Sequence, residues 1–339
     1  MKHLGSIFTI ILLLTVGNVY AFSKFTVGGV TYYYPDYDDG YNYLKVYVSS
    51  VDKGSTGNLV IPSSVTYMYT TYEVIRISAN AFSDCTGLTS VQIPYSVTYI
   101  GENAFSGCTG LKSIEIPKGV TYIGGNTFSG CTELTNITVS DYNKVYDSRD
   151  NCNAIIETAT NTLIAGCKNS IIPNSVTSIG GNAFCCLTSI TIPKHITSIG
   201  AGAFSGCPDL TSIIVEDGNS VYDSRDNCNA IIKTATNTIV VGCKNTIIPN
   251  SVTSIGRNAF EGCTGLTSVS IPNGVTSIGD YAFEGCTNLT DVTIPGLVEN
   301  IGIYAFYRCA NLKRVVIPSS VSIINEYVFA GCSLKDMFV

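Results

Sequence analysis

Nine phenylalanines set the frame of this sequence. Phe82, Phe105, Phe128, Phe184, Phe204, Phe260, Phe283, Phe306 and Phe329 are separated by 23, 23, 56, 20, 56, 23, 23 and 23 residues. A fixed period of this length restricts a chain to stacked units, because no unit can bury its apolar face without a neighbour. Each interval of 56 holds 33 residues beyond one period. Both surpluses contain the same stretch, DSRDNCNAIIETATNTLIAGCKN at 147–169 and DSRDNCNAIIKTATNTIVVGCKN at 223–245, with four differences. Cys152 and Cys228 lie 76 residues apart, the length of one long and one short interval, so a larger block was copied whole.

The unit NAFSGCTGLKSIEIPKGVTYIGG, residues 103–125, shows what one period contains. Ala104, Phe105, Cys108, Leu111, Ile114, Ile116, Val120 and Ile123 recur as apolar at matching positions along the chain. The LxxIxIP segment predicts a short strand with Ile114 and Ile116 on one face, stopped by Pro117, which has no N–H for a ladder. VTYIG predicts a second extended segment stopped by Gly124. Apolar positions two or three apart, broken by Gly or Pro every few residues, exclude helix. About seven buried side chains at roughly 1.5–3 kcal/mol each give on the order of 10–20 kcal/mol per unit. Ordering 23 backbones at roughly 1–2 kcal/mol apiece exceeds that gain. The expected fold is therefore a mainly β solenoid of 23-residue coils that are stable only when stacked.

LTSVSIPNGVTSIGDYAFEGCTNL, residues 266–289, resembles the BspA-like leucine-rich repeats of bacterial and some protist surface proteins. The resemblance runs over about residues 59–339, where IP, SIG, NAF and GC recur in order. The chain departs from the pattern at the two inserts, at the shortened FCCL (184–187) and at IPGLVENIG (294–302). The resemblance implies a leucine-rich-repeat solenoid over 61–339 and adhesion to host matrix proteins, host cells, other microbes or glycans. The implied partner is an extracellular protein or glycan; the chain itself is expected to be a monomer.

The N-terminus, MKHLGSIFTIILLLTVGNVYAFSKF, reads as a signal peptide over 1–21. Lys2 and His3 form the basic part, residues 4–16 the apolar part, and Val19, Tyr20 and Ala21 the cleavage site. An uncleaved anchor is the other reading, since the uncharged run to Ser23 is about long enough to span a bilayer. Either way the chain is expected to be exported, secreted or at the cell surface. Residues 22–60 carry β-formers around the turn residues Tyr37, Asp38, Asp39 and Gly40, and predict an N-terminal β-hairpin cap for the first coil. Net charge is -6, which removes the electrostatic term behind non-specific nucleic-acid binding.

Sites that could carry chemistry are few. Asp147 and Asp150 flank Arg149, as Asp223 and Asp226 flank Arg225; Asp, Ser and Asn also make turns for backbone reasons. The inserts, about 141–170 and 217–246, are expected to be β-hairpin arms on one flank, with Ile155 opposite Ile164. That register sets Cys152 against Cys167 and Cys228 against Cys243, each pair either a disulfide or two small buried apolar residues. Cys85, Cys108, Cys131, Cys207, Cys263, Cys286, Cys309 and Cys332 form a column, with Cys185 and Cys186 at the shortened coil. A 23-residue beat supplies no zinc spacing and fits a buried thiol ladder. No catalytic residue, cofactor or metal site is expected: past the N-terminal segment His195 is the one histidine, in a loop. Asp36, Asp38 and Asp39 lack the later Glu of a calcium loop. Two surface features remain. Thr98, Thr121, Thr177, Thr197, Thr253 and Thr276 form a hydroxyl column for which strand propensity is one reading and a structural scaffold or an ice- or glycan-contacting lattice the alternative. Of 21 tyrosines, 14 precede residue 123, and Tyr67, Tyr69, Tyr72, Tyr95, Tyr99 and Tyr122 are the candidate ligand contacts.

Overall fold

The computed structural model describes residues 24–34 and 44–338, and among them there is no α-helix. The expected signal peptide and the turn at Tyr37 to Gly40 lie outside the described residues. In a regular coil the strand Ser113–Ile116 buries Ile114 and Ile116 and turns Glu115 outward, as its alternation requires. It pairs in parallel with Leu88–Gln92 on one side and Asn136–Val139 on the other, in register, so that Val91, Ile114 and Ile137 stack. The VTxIG segment forms a second ladder: Tyr99–Ile100 pairs with Tyr122–Ile123, and further along Ser254–Ile255, Ser277–Ile278, Asn300–Ile301 and Ile323–Ile324 follow one another. Parallel rungs one period apart put each repeated side chain on top of its equivalent.

The third edge of the coil is the AFxGC turn, and it too is bonded from coil to coil. Phe82 N–H donates to the Ala104 carbonyl at 2.8 Å and Phe105 N–H to the Thr127 carbonyl at 2.9 Å. The phenylalanine rings stack along the core at 4.7 Å between Phe82 and Phe105, 4.9 Å between Phe260 and Phe283, and 5.0 Å between Phe283 and Phe306. The cysteine column has a definite use. The thiol of Cys108 donates to the Phe82 carbonyl at 3.0 Å, Cys131 to Phe105 at 3.1 Å, Cys286 to Phe260 at 3.2 Å, Cys309 to Phe283 at 3.1 Å and Cys332 to Phe306 at 3.1 Å. Each links its coil to a phenylalanine of the coil before. Cysteine suits the position because it packs as a small hydrophobe yet carries a weak donor for a buried carbonyl.

The inserts correct the expectation of arms on one flank. Tyr146–Asp147, Ala154–Glu157 and Thr162–Gly166 form an antiparallel meander, whose last strand pairs in parallel with the next rung, Ser178–Ile179. The meander lies inside the stack with both faces buried. Ile155, Ala165 and Cys167 pack with the coils before it; Cys152, Ala154, Ile156 and Leu163 pack with the coils after. The second insert repeats this division, with Ile231, Val241 and Cys243 facing back and Cys228, Ala230, Ile232 and Ile239 facing forward. A strand buried on both faces reads as a continuous apolar run, and AII and LIA are such runs. The expected register holds at Glu157 opposite Thr162 and then shifts at a bulge between Ile155 and Ile156, which places Ile155 opposite Ala165. Cys152 is thereby displaced from Cys167, the two belong to opposite faces, and all four insert cysteines carry free thiols.

Where the insert interrupts the second ladder, one side chain closes the gap. Asn143 Nδ2 donates to the carbonyls of Pro117 (2.9 Å) and Val120 (3.0 Å), and its Oδ1 accepts from the N–H groups of Val145 and Tyr146, both at 2.9 Å. Asn219 makes the same four bonds to Pro193, Ile196, Val221 and Tyr222. At the N-terminus, Lys24–Val27, Val30–Tyr33 and Lys45–Val51 continue the second ladder onto Thr70–Ile77. Phe25 and Tyr32, both buried, close the end of the core.

Two measurements follow from this packing. A Cβ on Gly242 would sit 2.1 Å from the Phe260 ring, whereas one on Gly296 meets nothing within 4 Å. Gly242→Ala is expected to lower the denaturation midpoint by the equivalent of about 1–3 kcal/mol, and Gly296→Ala to leave it unchanged. Burial pushes the Cys108 and Cys286 thiols from their ordinary 9.0 up to about 12. The unfolded chain gives up these protons first, so stability is complete below the ordinary thiol value and falls as pH rises through the folded one. Unfolding midpoints between pH ~8 and ~11 should decline, and a Cys108→Ala, Cys286→Ala double variant should flatten that decline.

Candidate functional site

The duplicated DSRDNC stretch is consumed by local structure. Arg149 is paired with Asp147 at 2.6 Å, and its second nitrogen reaches Asn161 at 3.0 Å and Ser175 at 3.3 Å, tying the turn to the hairpin and to the following coil. Ser148 Oγ accepts from the Val139 N–H at 3.0 Å. Asp150, Asn151 and Asn153 take left-handed backbone with φ of 58°, 51° and 50°, which Asp and Asn tolerate better than most residues. The second copy pairs Arg225 with Asp223 at 2.5 Å. The Asp147 and Asp223 carboxylates are spent on the fold and Asp150 and Asp226 serve the turn through their backbone, as the turn reading requires.

The hydroxyl column is also engaged. Thr121 Oγ1 donates to the Thr98 carbonyl at 3.2 Å, Thr197 to Thr177 at 3.3 Å, Thr253 to Thr236 at 3.2 Å and Thr276 to Thr253 at 3.2 Å. Donors pointed at the preceding coil do not form a free lattice. His195 sits in its loop with Nε2 3.2 Å from the Pro173 carbonyl. Among the described residues, no group of three or more His, Cys, Asp or Glu is placed to hold a metal ion, and no helix is long and apolar enough to cross a membrane.

The six candidate tyrosines fall into four places. Tyr67 and Tyr72 pack against the cap, their rings 4.4 and 5.8 Å from Phe25. Tyr69 is fully exposed at the tip of the hairpin between Ser64–Tyr67 and Thr70–Ile77. Tyr95 stands beside a shallow 610 Å³ groove along the first strand ladder, lined also by Asn58, Ser90, Gln92 and Glu115, with the Lys118 ammonium 5.4 Å above its ring. Tyr99 and Tyr122 form part of a longer array. Across five adjacent strands the register sets Tyr33 beside Tyr47, Tyr47 beside Arg76, Arg76 beside Tyr99 and Tyr99 beside Tyr122. The Arg76 guanidinium lies 5.0 Å from the Tyr47 ring and 5.1 Å from the Tyr99 ring, and Tyr99 stacks on Tyr122 at 4.5 Å and 9°.

A second aromatic array escaped the sequence reading. The residue two before each column phenylalanine takes left-handed backbone: Asn80, Asn103, Asn126, Asn182, Gly202 and Asn258 in six coils, then Tyr281, Tyr304 and Tyr327 with φ of 56°, 58° and 57°. The three rings stack at 5.2 and 5.3 Å with interplanar angles of 13° and 7°, and Arg257 lies 5.4 Å over the first. The signal was present as YAF, YAF and YVF in three successive coils where earlier coils carry NAF.

The chain matches the BspA type leucine rich repeat region in six copies over residues 61–158, 164–238 and 236–339. It belongs to that family. Among solved structures, this leucine-rich repeat protein is similar to a leucine rich cell surface protein from Faecalibacterium prausnitzii, at 28% identity over 93% of this chain and 94% of that one, TM-score 0.44. It is also similar to the pneumococcal vaccine antigen PcpA, at 19% identity over 93% and 87%, TM-score 0.43. A third is a leucine-rich repeat protein from Bacteroides ovatus, at 25% identity over 92% and 94%, TM-score 0.33. No curated protein matches the chain.

Arg76 holds two rings, whereas Lys118 sits over one ring that is 65% exposed. Arg76→Ala is expected to cost about 1–2 kcal/mol of stability and Lys118→Ala close to nothing, read from denaturant unfolding of the two variants.

Proposed function

We propose that this BspA-type protein is an exported recognition protein that adheres to host matrix proteins, cells or glycans through its aromatic columns. The observation that carries the reading is the left-handed tyrosine triplet. Left-handed backbone is a true outlier for a bulky residue, at a cost of order 1–3 kcal/mol each, and six sister coils avoid it with Asn or Gly. Stacking returns about 0.5–1.5 kcal/mol per ring pair, so the fold gains little from the exchange. What the exchange provides is a rigid aromatic surface, with Tyr327 57% exposed, and aromatic side chains bring large contact area at low entropic cost. The basic and apolar N-terminal pattern supports export, and the family supports recognition rather than catalysis.

The sister coils also supply the test. Tyr281→Asn, Tyr304→Asn and Tyr327→Asn restore the residue used at Asn258; Tyr99→Ser and Tyr122→Ser copy Ser178 and Ser254. The wild-type chain is expected to bind saturably to an array of extracellular-matrix proteins and glycans. One of these two variant sets should weaken that binding at least ~10-fold, about 1.4 kcal/mol, while its melting temperature stays within a few degrees. Absence of binding by the wild-type chain to every member of the array overturns the reading.

A further inference from the structure

The duplicated block contains its own control for a pocket. Beside the first insert, residues 126–129, 164–166, 182, 183 and 185 line a notch of about 240 Å³ between two AFxGC turns. The matching residues 76 positions on, 202–205, 240–242, 258 and 259, border with Glu261 and Cys263 a space of only about 10 Å³. The difference lies in the shortened coil. Phe260 is followed by Glu261 and Gly262 before the column cysteine Cys263, whereas Phe184 is followed directly by Cys185. Both cysteines hold the column, with the Cys185 thiol on the Gly166 carbonyl at 3.5 Å and the Cys263 thiol on the Gly242 carbonyl at 3.6 Å. In the second block Glu261 leans into the gap, held by Asn258 Nδ2 at 2.6 Å, and a Cβ on Gly202 would lie 3.3 Å from its carboxylate. Gly262 closes the outer edge against the Ser205 carbonyl. The first block has no equivalent of these two residues, and the notch stays open.

Three of the four differences between the copies, at Glu157, Ile164 and Ala165, lie in the wall of the notch. Leu163 against Ile239 and Ile164 against Val240 exchange apolar for apolar, and Ala165 against Val241 keeps the smaller side chain in the open copy. Glu157 against Lys233 is the one change of chemistry, and Glu157 lines the open notch. Its Oε2 accepts from Thr160 Oγ1 at 2.6 Å, which fixes the carboxylate at the rim. Asn126, Ser129 and Asn182 supply amide and hydroxyl groups, backbone of five glycines forms much of the remaining wall, and the half-exposed Tyr122 ring stands at the edge.

We propose that this notch binds a single neutral sugar residue. Carboxylate, amide and hydroxyl groups around one aromatic edge match a ring of hydroxyls with an apolar face. The volume falls below the roughly 300–1,000 Å³ of pockets for larger ligands, and the one carboxylate at the rim selects against an anionic guest. From the notch, Asn126, Ser129 and Asn182 continue into a polar groove of about 520 Å³ lined also by Asn103, Arg257 and Asn258, which gives an attached chain a path along the coils. The proposal is independent of the tyrosine triplet, and the two variants that probe the notch leave every tyrosine in place.

Gly125 lines the notch, its φ is not left-handed, and a Cβ there meets nothing within 4 Å, so Gly125→Leu can start a bulky side chain at the notch wall without a backbone clash. Saturation-transfer NMR on the full chain would use the methyl glycosides of glucose, galactose, mannose and N-acetylglucosamine, with sialic acid as the anionic comparison. Saturable binding of at least one neutral glycoside is expected, weakened ~10-fold or more by Gly125→Leu and by Glu157→Gln and unchanged in the Tyr281, Tyr304, Tyr327→Asn variant. No binding by any neutral glycoside, binding indifferent to Gly125→Leu, or preference for sialic acid overturns the proposal. If matrix binding is lost in the tyrosine variant while glycoside binding persists, the notch and the aromatic surface are separate sites.

Discussion

The coil-to-coil backbone hydrogen bond is the constraint from which the rest of this molecule follows. A coil of 23 residues cannot meet its own ordering cost, so every coil depends on in-register bonds to its neighbours along all three edges. Register in turn makes a column of every repeated position. Phenylalanine rings stack because their N–H groups bond to the next coil, and thiols find a carbonyl because it lies one period back. The threonine hydroxyls likewise meet the carbonyl of their own column. Surface and core obey the same rule, and a change that suits one coil is tested at once against the coils on either side.

The inserts show how such a stack takes in a foreign element. A meander with apolar residues on both faces can stand in for a coil provided that its last strand offers a rung and its first turn satisfies the rung left open behind it. Thr162–Gly166 does the first, and Asn143 does the second with four bonds from one amide. Gly166 and Gly242 complete the fit, because the ring of the following phenylalanine lies where their side chain would be. The copy 76 residues on reproduces these contacts nearly atom for atom, which is why the duplicated stretch reads as architecture.

Much of this was legible in the sequence, and the parts that were not have physical reasons. Period, strand ends at proline, the thiol column and the turn role of DSRDNC all rest on local patterns that the structure preserves. The placement of the inserts does not: a hairpin with one apolar face and a partition with two differ only in whether AII and LIA are read as alternation or as a continuous run. The bulge at Ile155 and Ile156 is a one-residue shift with no mark of its own, and it moved Cys152 out of line with Cys167. The tyrosines were noticed where they were dense. Tyr69 is left-handed as well, at a hairpin tip, but the three that stack lay elsewhere, and only the φ of the preceding asparagines shows that their position is special.

That position illustrates how a repeat protein can vary its surface without losing its frame. The residue two before the column phenylalanine must be left-handed for the turn to bring its N–H groups onto the next coil, so glycine and asparagine are the inexpensive choices. Any other side chain there is held against its preference by the bonds around it. Tyrosine in three successive coils is a departure that no local requirement explains, and register turns three departures into one continuous stack. The shortened coil is the opposite case: a deletion keeps a cysteine, Cys185, on the core column and leaves a notch of about 240 Å³ where the matching residues of the duplicate border about 10 Å³. In both places the frame is unaltered and only what faces solvent has changed, which is the pattern expected when selection acts on binding and the stack supplies stability.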